Sequence, residues 1–190
     1  MKGIIFNVIL FYTCIYPHAN QAIQGFGFTE GFKHPIQGLD HLLAMLCVGM
    51  ISARLGGKAI WFVPTCFVVV MALGCVIGFF GTSLQFIEPL ISISIIIFGA
   101  MLISPQLLKP LLTLLTVALF AIVHGYAHGK EMPLFVLPEI YIFGFMVATT
   151  LIHGLGVGAG EIINRFRFSV TLYRITGLGL ALSGIYFILT

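Results

Sequence analysis

HPIQGLDHLLAMLCVG, residues 34–49, places two histidines and one aspartate at the start of a segment that then becomes almost purely apolar. Proline has a fixed φ that suits the first position of a helix, so Pro35 predicts a helix start. His34 and His41 would then lie about two turns apart on one helical face, with Asp40 about 100° around the axis. Imidazole and carboxylate groups are ligands that borderline divalent metals bind. The stretch therefore predicts metal-binding side chains at the mouth of a membrane helix.

The composition indicates an integral membrane protein. Of the 190 residues, 59% are hydrophobic and only 8% are charged, whereas a soluble domain carries roughly 25% charged residues. The mean hydropathy is +1.12. The length allows about five to seven helices of about 20 apolar residues each. A net charge of +3 without any basic run argues against a nucleic-acid partner. The four cysteines lie in apolar runs without a CxxC motif, which favours buried packing over disulfides or thiolate metal sites.

The N-terminal sequence predicts a cleaved signal peptide over residues 1–22. A short basic start precedes a largely apolar run, residues 4–15, and small or polar residues follow that run. This is the order of a secretory leader. A retained N-terminal helix is the alternative. We expect a short Gly-rich polar linker over residues 24–33, and a single transmembrane domain over residues 23–190.

Six apolar segments predict six transmembrane helices after the leader, and hence an all-α, polytopic membrane protein. The Lys and Arg residues of the connecting loops predict its orientation, because cytoplasmic loops carry an excess of them. Five lie in alternate loops and two in the others. We therefore expect a multi-pass protein of a bacterial-type cytoplasmic (inner) membrane, with both mature termini outside. The segments lie at about residues 36–53, 59–80, 88–104, 111–128, 139–160 and 169–190. The five are Arg54, Lys58, Lys109, Arg165 and Arg167, and the two are Lys33 and Lys130.

This topology gathers ionisable side chains at the outer face of the membrane. Ionisable groups are costly inside a bilayer, so they are functional candidates by default. In the fourth span, residues 124, 128 and 131 follow an i, i+4, i+7 spacing and share a helical face. Each residue also has a structural alternative, such as a helix-capping histidine, a salt-bridge partner or an anion at a helix N-terminus. The predicted metal ligands are His34, Asp40, His41, Glu88, His124, His128 and Glu131.

His153 lies apart from this group. It is fourteen residues into the fifth span, roughly 21 Å from the outer end at 1.5 Å per residue. It could serve as a relay or an inner site, or it could hydrogen-bond the backbone in the core. The GLGVGAG sequence that follows it contains a GxGxxG string, but no strand precedes it, so close helix packing explains it better than a nucleotide loop.

The sequence contains two histidine motifs, H-x5-D-H at residues 34–41 and HG-x-AHG-x-E at residues 124–131. In this order they resemble the motifs of the HupE/UreJ family of nickel/cobalt permeases. With the leader and the spans, the resemblance covers nearly the whole chain. Val123 stands where the family usually has Phe. The resemblance implies a secondary permease that admits nickel or cobalt for metalloenzymes such as hydrogenase or urease. Its implied functional residues are the His, Asp and Glu of both motifs, and Glu88 is similar to a functional acid of the family.

The permease interpretation implies that the chain is not an enzyme and needs no prosthetic group. Its partners would be the lipid bilayer and a transported Ni²⁺ or Co²⁺ ion, with Zn²⁺ also compatible with these ligands. The rival hypothesis is an intramembrane zinc-dependent hydrolase with an open water position on the metal, although HEXXH is absent. A small-solute channel is a third class. The sequence leaves the number of subunits open, a homo-oligomer included.

Overall fold

The computed structural model describes residues 26–82 and 84–190, and within these ranges every regular element is helical. The all-α class is therefore confirmed for the described residues. The predicted leader, residues 1–22, lies outside them. A single 3-10 turn, Pro105–Leu107, follows the fourth helix. The helices are α1 (Phe26–Gln37), α2 (Leu39–Leu55), α3 (Ala59–Phe80), α4 (Ile87–Ile103), α5 (Pro110–Lys130), α6 (Pro138–Asn164) and α7 (Ser169–Leu189).

Four helices, α3, α5, α6 and α7, are long and apolar enough to cross a membrane. The bent pair of α1 and α2 makes a fifth if it counts as one span. The apolar helix α4 has 17 residues and a length of about 26 Å, slightly short of a hydrocarbon core of roughly 30 Å. Large apolar side chains such as Trp61, Phe80 and Leu115 point outward. The chain is an integral membrane protein, and six complete spans stay a prediction.

The helices pack mainly as three pairs, α3 with α5, α4 with α7 and α2 with α6. Glycine lets the backbones of these pairs approach closely, as is common between membrane helices. A Cβ atom on Gly125 of α5 would overlap the carbonyl of Met71 on α3. On α2, a Cβ atom on Gly49 would overlap the carbonyl of His153 on α6. These contacts fix how far α5 is shifted along α3, and α6 along α2. They therefore also set the positions of His124 and His128 on α5 and of His153 on α6.

The linker predicted at residues 24–33 is wrong from Phe26 onward, because that part of the chain forms α1. The glycines that suggest a linker belong to a buried stripe, since Gly27, Gly31 and Pro35 are buried at helical spacing. A Cβ atom on Gly31 would overlap the carbonyl of Tyr141, so α1 lies directly against α6. Tertiary packing of small residues thus overrides their low intrinsic helix propensity.

The helix start predicted at Pro35 is also wrong. Pro35 lies in the last turn of α1, and the helix ends two residues later, before Gly38. Gly38 has an extended backbone (φ −86°, ψ 110°), and α2 leaves it at 81° to α1. His34 and His41 are therefore on different helices instead of one face of a single helix. Asp40 lies in the first turn of α2, instead of inside a helix that begins at Pro35.

Candidate metal centre

All seven predicted ligands lie at one end of the helix bundle, which we call the site end. A cavity of about 190 Å³ opens between the corner of α1 and α2, the start of α4 and the end of α5. The two α5 histidines, which are fully buried, contact the imidazoles of this corner from within the bundle. The lining residues of the cavity are His34, Gln37, Gly38, Asp40, His41, Glu88 and Glu131.

Four imidazole rings from three helices form a continuous cluster. The ring centroid of His41 lies 5.2 Å from that of His124 and 5.0 Å from that of His128. The ring of His34 lies 4.8 Å from His128 and 6.5 Å from His41. The corner at Gly38 brings His34, at the end of α1, close to His41, in the first turn of α2. On α5, the four-residue spacing places His124 and His128 on one helical face. The two sequence motifs therefore meet in one place.

Two carboxylates hold two of these imidazoles. Asp40 Oδ1 accepts hydrogen bonds from the backbone N–H of His41, at 2.8 Å, and from its Nδ1, at 3.0 Å. Protonation of Nδ1 leaves the lone pair of the ring on Nε2, which is how carboxylates prepare histidines for metal binding. Across the cavity, Glu131 Oε2 lies 2.7 Å from His34 Nε2. This hydrogen bond lowers the pKa of Glu131 below its ordinary value, so the Glu131 carboxylate stays charged in mildly acidic solution.

Four buried nitrogens of the cluster lack hydrogen-bond partners. His124 donates its Nδ1 proton to the carbonyl of Phe120 at 2.9 Å, which leaves a lone pair on Nε2. That Nε2, the Nε2 of His41 and both ring nitrogens of His128 have no partner. An unsatisfied buried polar group costs about 1–3 kcal/mol. Imidazole lone pairs beside carboxylates are a donor set that fits Ni²⁺, Co²⁺ or Zn²⁺.

The donors do not form a finished coordination shell. Over residues 26–82 and 84–190, no group of three His, Cys, Asp or Glu side chains is arranged to hold a metal ion as it stands. Glu131 engages Nε2 of His34, and the centroids of neighbouring imidazole rings lie 4.8–6.5 Å apart. A metal ion would have to displace His34 from Glu131 and draw the other rings together. The cluster differs in this respect from the closed shells of structural metal sites.

Aromatic side chains enclose the cluster, and the sequence analysis did not single them out. Phe145 stacks on His128 with ring centroids 5.1 Å apart. Tyr141 lies 5.9 Å from His34, and its buried hydroxyl has no hydrogen-bond partner. The ring centroid of Phe67 lies 5.4 Å from that of His124. A single aromatic residue inside an apolar span gives no sequence signal that separates it from an ordinary packing residue.

His153 is not part of the cluster. Its ring centroid lies 5.1 Å from that of Phe67 on α3, and Phe67 also contacts His124. The residue is 1% exposed, and neither ring nitrogen has a hydrogen-bond partner. The backbone hydrogen bond that would explain a core histidine is therefore not formed.

Comparison with known proteins identifies the family. The sequence profile described as HupE / UreJ protein matches residues 6–187. A relative described as "Protein HupE", from Rhizobium leguminosarum bv. viciae, is 36% identical over 168 residues, which cover 88% of this chain and 87% of the relative. No solved structure gives a significant match. The chain belongs to the HupE/UreJ family.

Proposed function

We propose that this protein is a secondary permease that carries Ni²⁺, with Co²⁺ as a second cargo, across the cytoplasmic membrane to supply metalloenzymes such as hydrogenase or urease. Membership of the HupE/UreJ family, which is associated with nickel and cobalt uptake, supports this function. The apolar helices support a path through the bilayer. The basic residues of the loops support an orientation with the site end outside.

The observation that carries the proposal is the contact of His41 with both α5 histidines. It brings the ligands of two separate motifs within reach of one ion. The carboxylates of Asp40, Glu88 and Glu131 line the cavity above them, where they offset the charge of an arriving dication. The imidazoles would then replace part of its water shell.

Incomplete coordination suits a transport site, because conduction requires binding that is weak enough to allow release. The His34–Glu131 hydrogen bond gives Nε2 of His34 an alternative partner when no ion is bound. An ion can therefore leave without stranding this nitrogen. The fully buried α5 histidines have no such carboxylate partner, so they would favour the bound ion most strongly.

Uptake of radioactive Ni²⁺ into cells that express this chain tests the proposal, with Co²⁺ and Zn²⁺ as competitors. We expect accumulation above that of control cells, inhibited more by Co²⁺ than by Zn²⁺. His128→Leu should abolish the accumulation at equal membrane levels of protein. No Ni²⁺ uptake by well-inserted protein would contradict the permease, and Zn²⁺-dependent turnover of lipid or peptide in detergent would favour a zinc-dependent hydrolase that uses the same residues.

A further inference from the structure

Arg54, the next-to-last residue of α2, connects several helices at the end of the bundle opposite the site end. Its guanidinium donates a hydrogen bond to the carbonyl of Leu102 on α4. The same group lies over the ring of Tyr173 on α7, 4.7 Å from the ring centroid. Tyr173 is buried, and its hydroxyl donates to the carbonyl of Gly160 on α6 at 3.0 Å. The contacts of these two side chains therefore join α2, α4, α6 and α7.

The four helices joined in this way form two pairs that pack backbone against backbone. In the pair of α2 and α6, a Cβ atom on Gly156 would overlap the carbonyl of Leu46. In the pair of α4 and α7, a Cβ atom on Gly177 would overlap the carbonyl of Gly99. Such dense packing makes each pair a rigid unit. The contacts of Arg54 cross from one pair to the other through a long side chain, so they can break without repacking either pair.

At the site end, a cavity lies between the same two pairs. Helix α2 lines it with Asp40 and His41, and α4 lines it with Glu88. The facing ends of α2 and α4 therefore enclose about 190 Å³ of open space at the site end, while Arg54 ties the other ends together. Transporters of the alternating-access type open one end at a time by rocking one rigid unit against the other. The arrangement matches a state that is open at the site end and closed at the opposite end.

The charge of Arg54 opposes the exit of a cation between α2 and α4. A guanidinium stays protonated in proteins, and within residues 26–82 and 84–190 no carboxylate forms an ion pair with Arg54. Its positive charge would repel a divalent ion that approaches the contact with Leu102. Exit at this point therefore requires that the guanidinium moves away.

We propose that Arg54 is a latch that closes the end opposite the site end, and that binding of a divalent ion at the site end releases it. This inference rests on the proposed permease function for its cargo. An ion held by His41 of α2 and attracted by Glu88 of α4 would draw these two helices together at the site end. Because each pair is rigid, the same movement separates α2 from α4 at the other end and breaks the hydrogen bond from Arg54 to the Leu102 carbonyl. The released side chain can extend to water beyond the helix end.

The first test measures whether Arg54 keeps this end of the bundle closed. In a chain without native cysteines, Ser52→Cys places a thiol at a fully buried position two residues before Arg54. Without metal, Arg54→Ala should raise the rate at which a water-soluble maleimide labels this thiol in purified, full-length protein by about fivefold or more, because the closed state loses its tie. Arg54→Lys, which keeps the charge but not the planar group, should give an intermediate rate. Arg174→Ala, which removes the same charge from an exposed position of α7, is the matched control and should leave the rate unchanged.

The response to Ni²⁺ separates a latch from a side chain that only caps the end of α4. With Arg54 in place, saturating Ni²⁺ should raise the labelling rate of the Ser52→Cys chain, and the additional change Asp40→Asn should remove this effect. A simple cap would respond to Arg54→Ala but not to the ion. A labelling rate that is indifferent to Ni²⁺, or one that is indifferent to Arg54→Ala, would overturn the latch.

The labelling measurement does not require transport, so the latch and the permease proposal can fail separately. If cells that express the chain accumulate no Ni²⁺, but Ni²⁺ still raises the labelling rate, the permease proposal fails and the latch stands. If the cells accumulate Ni²⁺ normally while the labelling rate does not respond to the ion, the latch fails alone.

Discussion

The ring of His41 on α2 lies 5.0 Å from the ring of His128 on α5, and this contact joins two motifs that are far apart in the sequence. The tautomer of His41 is set by Asp40, whereas His128 has no hydrogen-bond partner at either nitrogen. One histidine is therefore oriented by a carboxylate, and the other has both ring nitrogens without a partner. The consequences of this pairing are measurable.

Replacement of the two histidines should be non-additive if they share one ion. His41→Ala and His128→Ala should each lower Ni²⁺ affinity by more than about tenfold, since even groups that only orient ligands contribute that much. The double variant should lose little more than the worse single variant, because the second change removes a ligand from a site already broken. Equilibrium dialysis of purified protein with Ni²⁺ provides the measurement. Losses that add in full would place the two rings in separate sites.

Asp40→Asn should abolish or severely reduce Ni²⁺ uptake while the protein still reaches the membrane. The amide removes the negative charge and can donate to His41 Nδ1, which would move the ring proton to Nε2 and block ligation there. Uptake normalised to membrane-inserted protein checks this. Glu139→Gln serves as the control, because Glu139 is an exposed first-turn acid of α6. Near-normal uptake by Asp40→Asn would remove this residue from the site.

Gly38→Ala should weaken Ni²⁺ binding without preventing folding. The backbone angles of Gly38 are open to alanine, but a Cβ atom there would lie 3.0 Å from both Asp40 Oδ1 and His41 Nδ1. The pair would have to shift by a few tenths of an ångström, and the orientation of His41 with it. Titration of purified protein with Ni²⁺ measures the loss. Gly179→Ala, which meets open space, should leave the affinity unchanged.

Acidification from about pH 7 to 5 should lower uptake, because protons compete with the metal ion for the imidazole nitrogens. The hydrogen bond from His34 lowers the pKa of Glu131, so Glu131 keeps its charge through this range and does not cause the loss. Glu131→Gln should therefore reduce uptake at every pH while preserving the shape of the profile. If uptake by Glu131→Gln depends less on pH than uptake by wild type, the pH dependence arises from the His34–Glu131 pair instead.

Cysteine labelling in intact cells should place the site end outside. In a background without native cysteines, Leu134→Cys, which lies in the exposed loop between α5 and α6, should react with an impermeant reagent. Lys58→Cys at the opposite end should react only after permeabilisation. Lys58 is preferable to its neighbours because Gly56 and Gly57 have positive φ angles that a side chain would strain. The reverse labelling pattern would invert the predicted topology.

The limits of α3 to α7 could be predicted to within a few residues because apolar runs there are bounded by proline, glycine or charge. The Pro110 and Pro138 starts are examples. Helix α1 could not be predicted, because its buried face is made of glycines whose partner, the backbone of α6, is distant in sequence. Membrane crossing by α4 and the cleavage of a leader stay predictions.

The residues of the candidate site could be predicted from their type, since ionisable groups stand out against an apolar sequence. The hydrogen bonds among them could not be predicted, because the His34–Glu131 contact depends on how α1 lies across the end of α5. Phe67 and the environment of His153 were likewise hidden, since they arise from contacts among three helices.

The corner at Gly38 changes what the six-residue step from His34 to Asp40 means. In a continuous helix, adding one residue would rotate the histidine about 100° away from its partners. Here the step spans the last turn of one helix, one extended residue and the first turn of the next. The number of residues in this step therefore has to fit the corner between α1 and α2. Insertion or deletion of a residue between His34 and Asp40 should displace the two side chains from each other. Comparable sites in other membrane proteins are better sought as right-angled corners with a fixed residue count than as stripes along one helix.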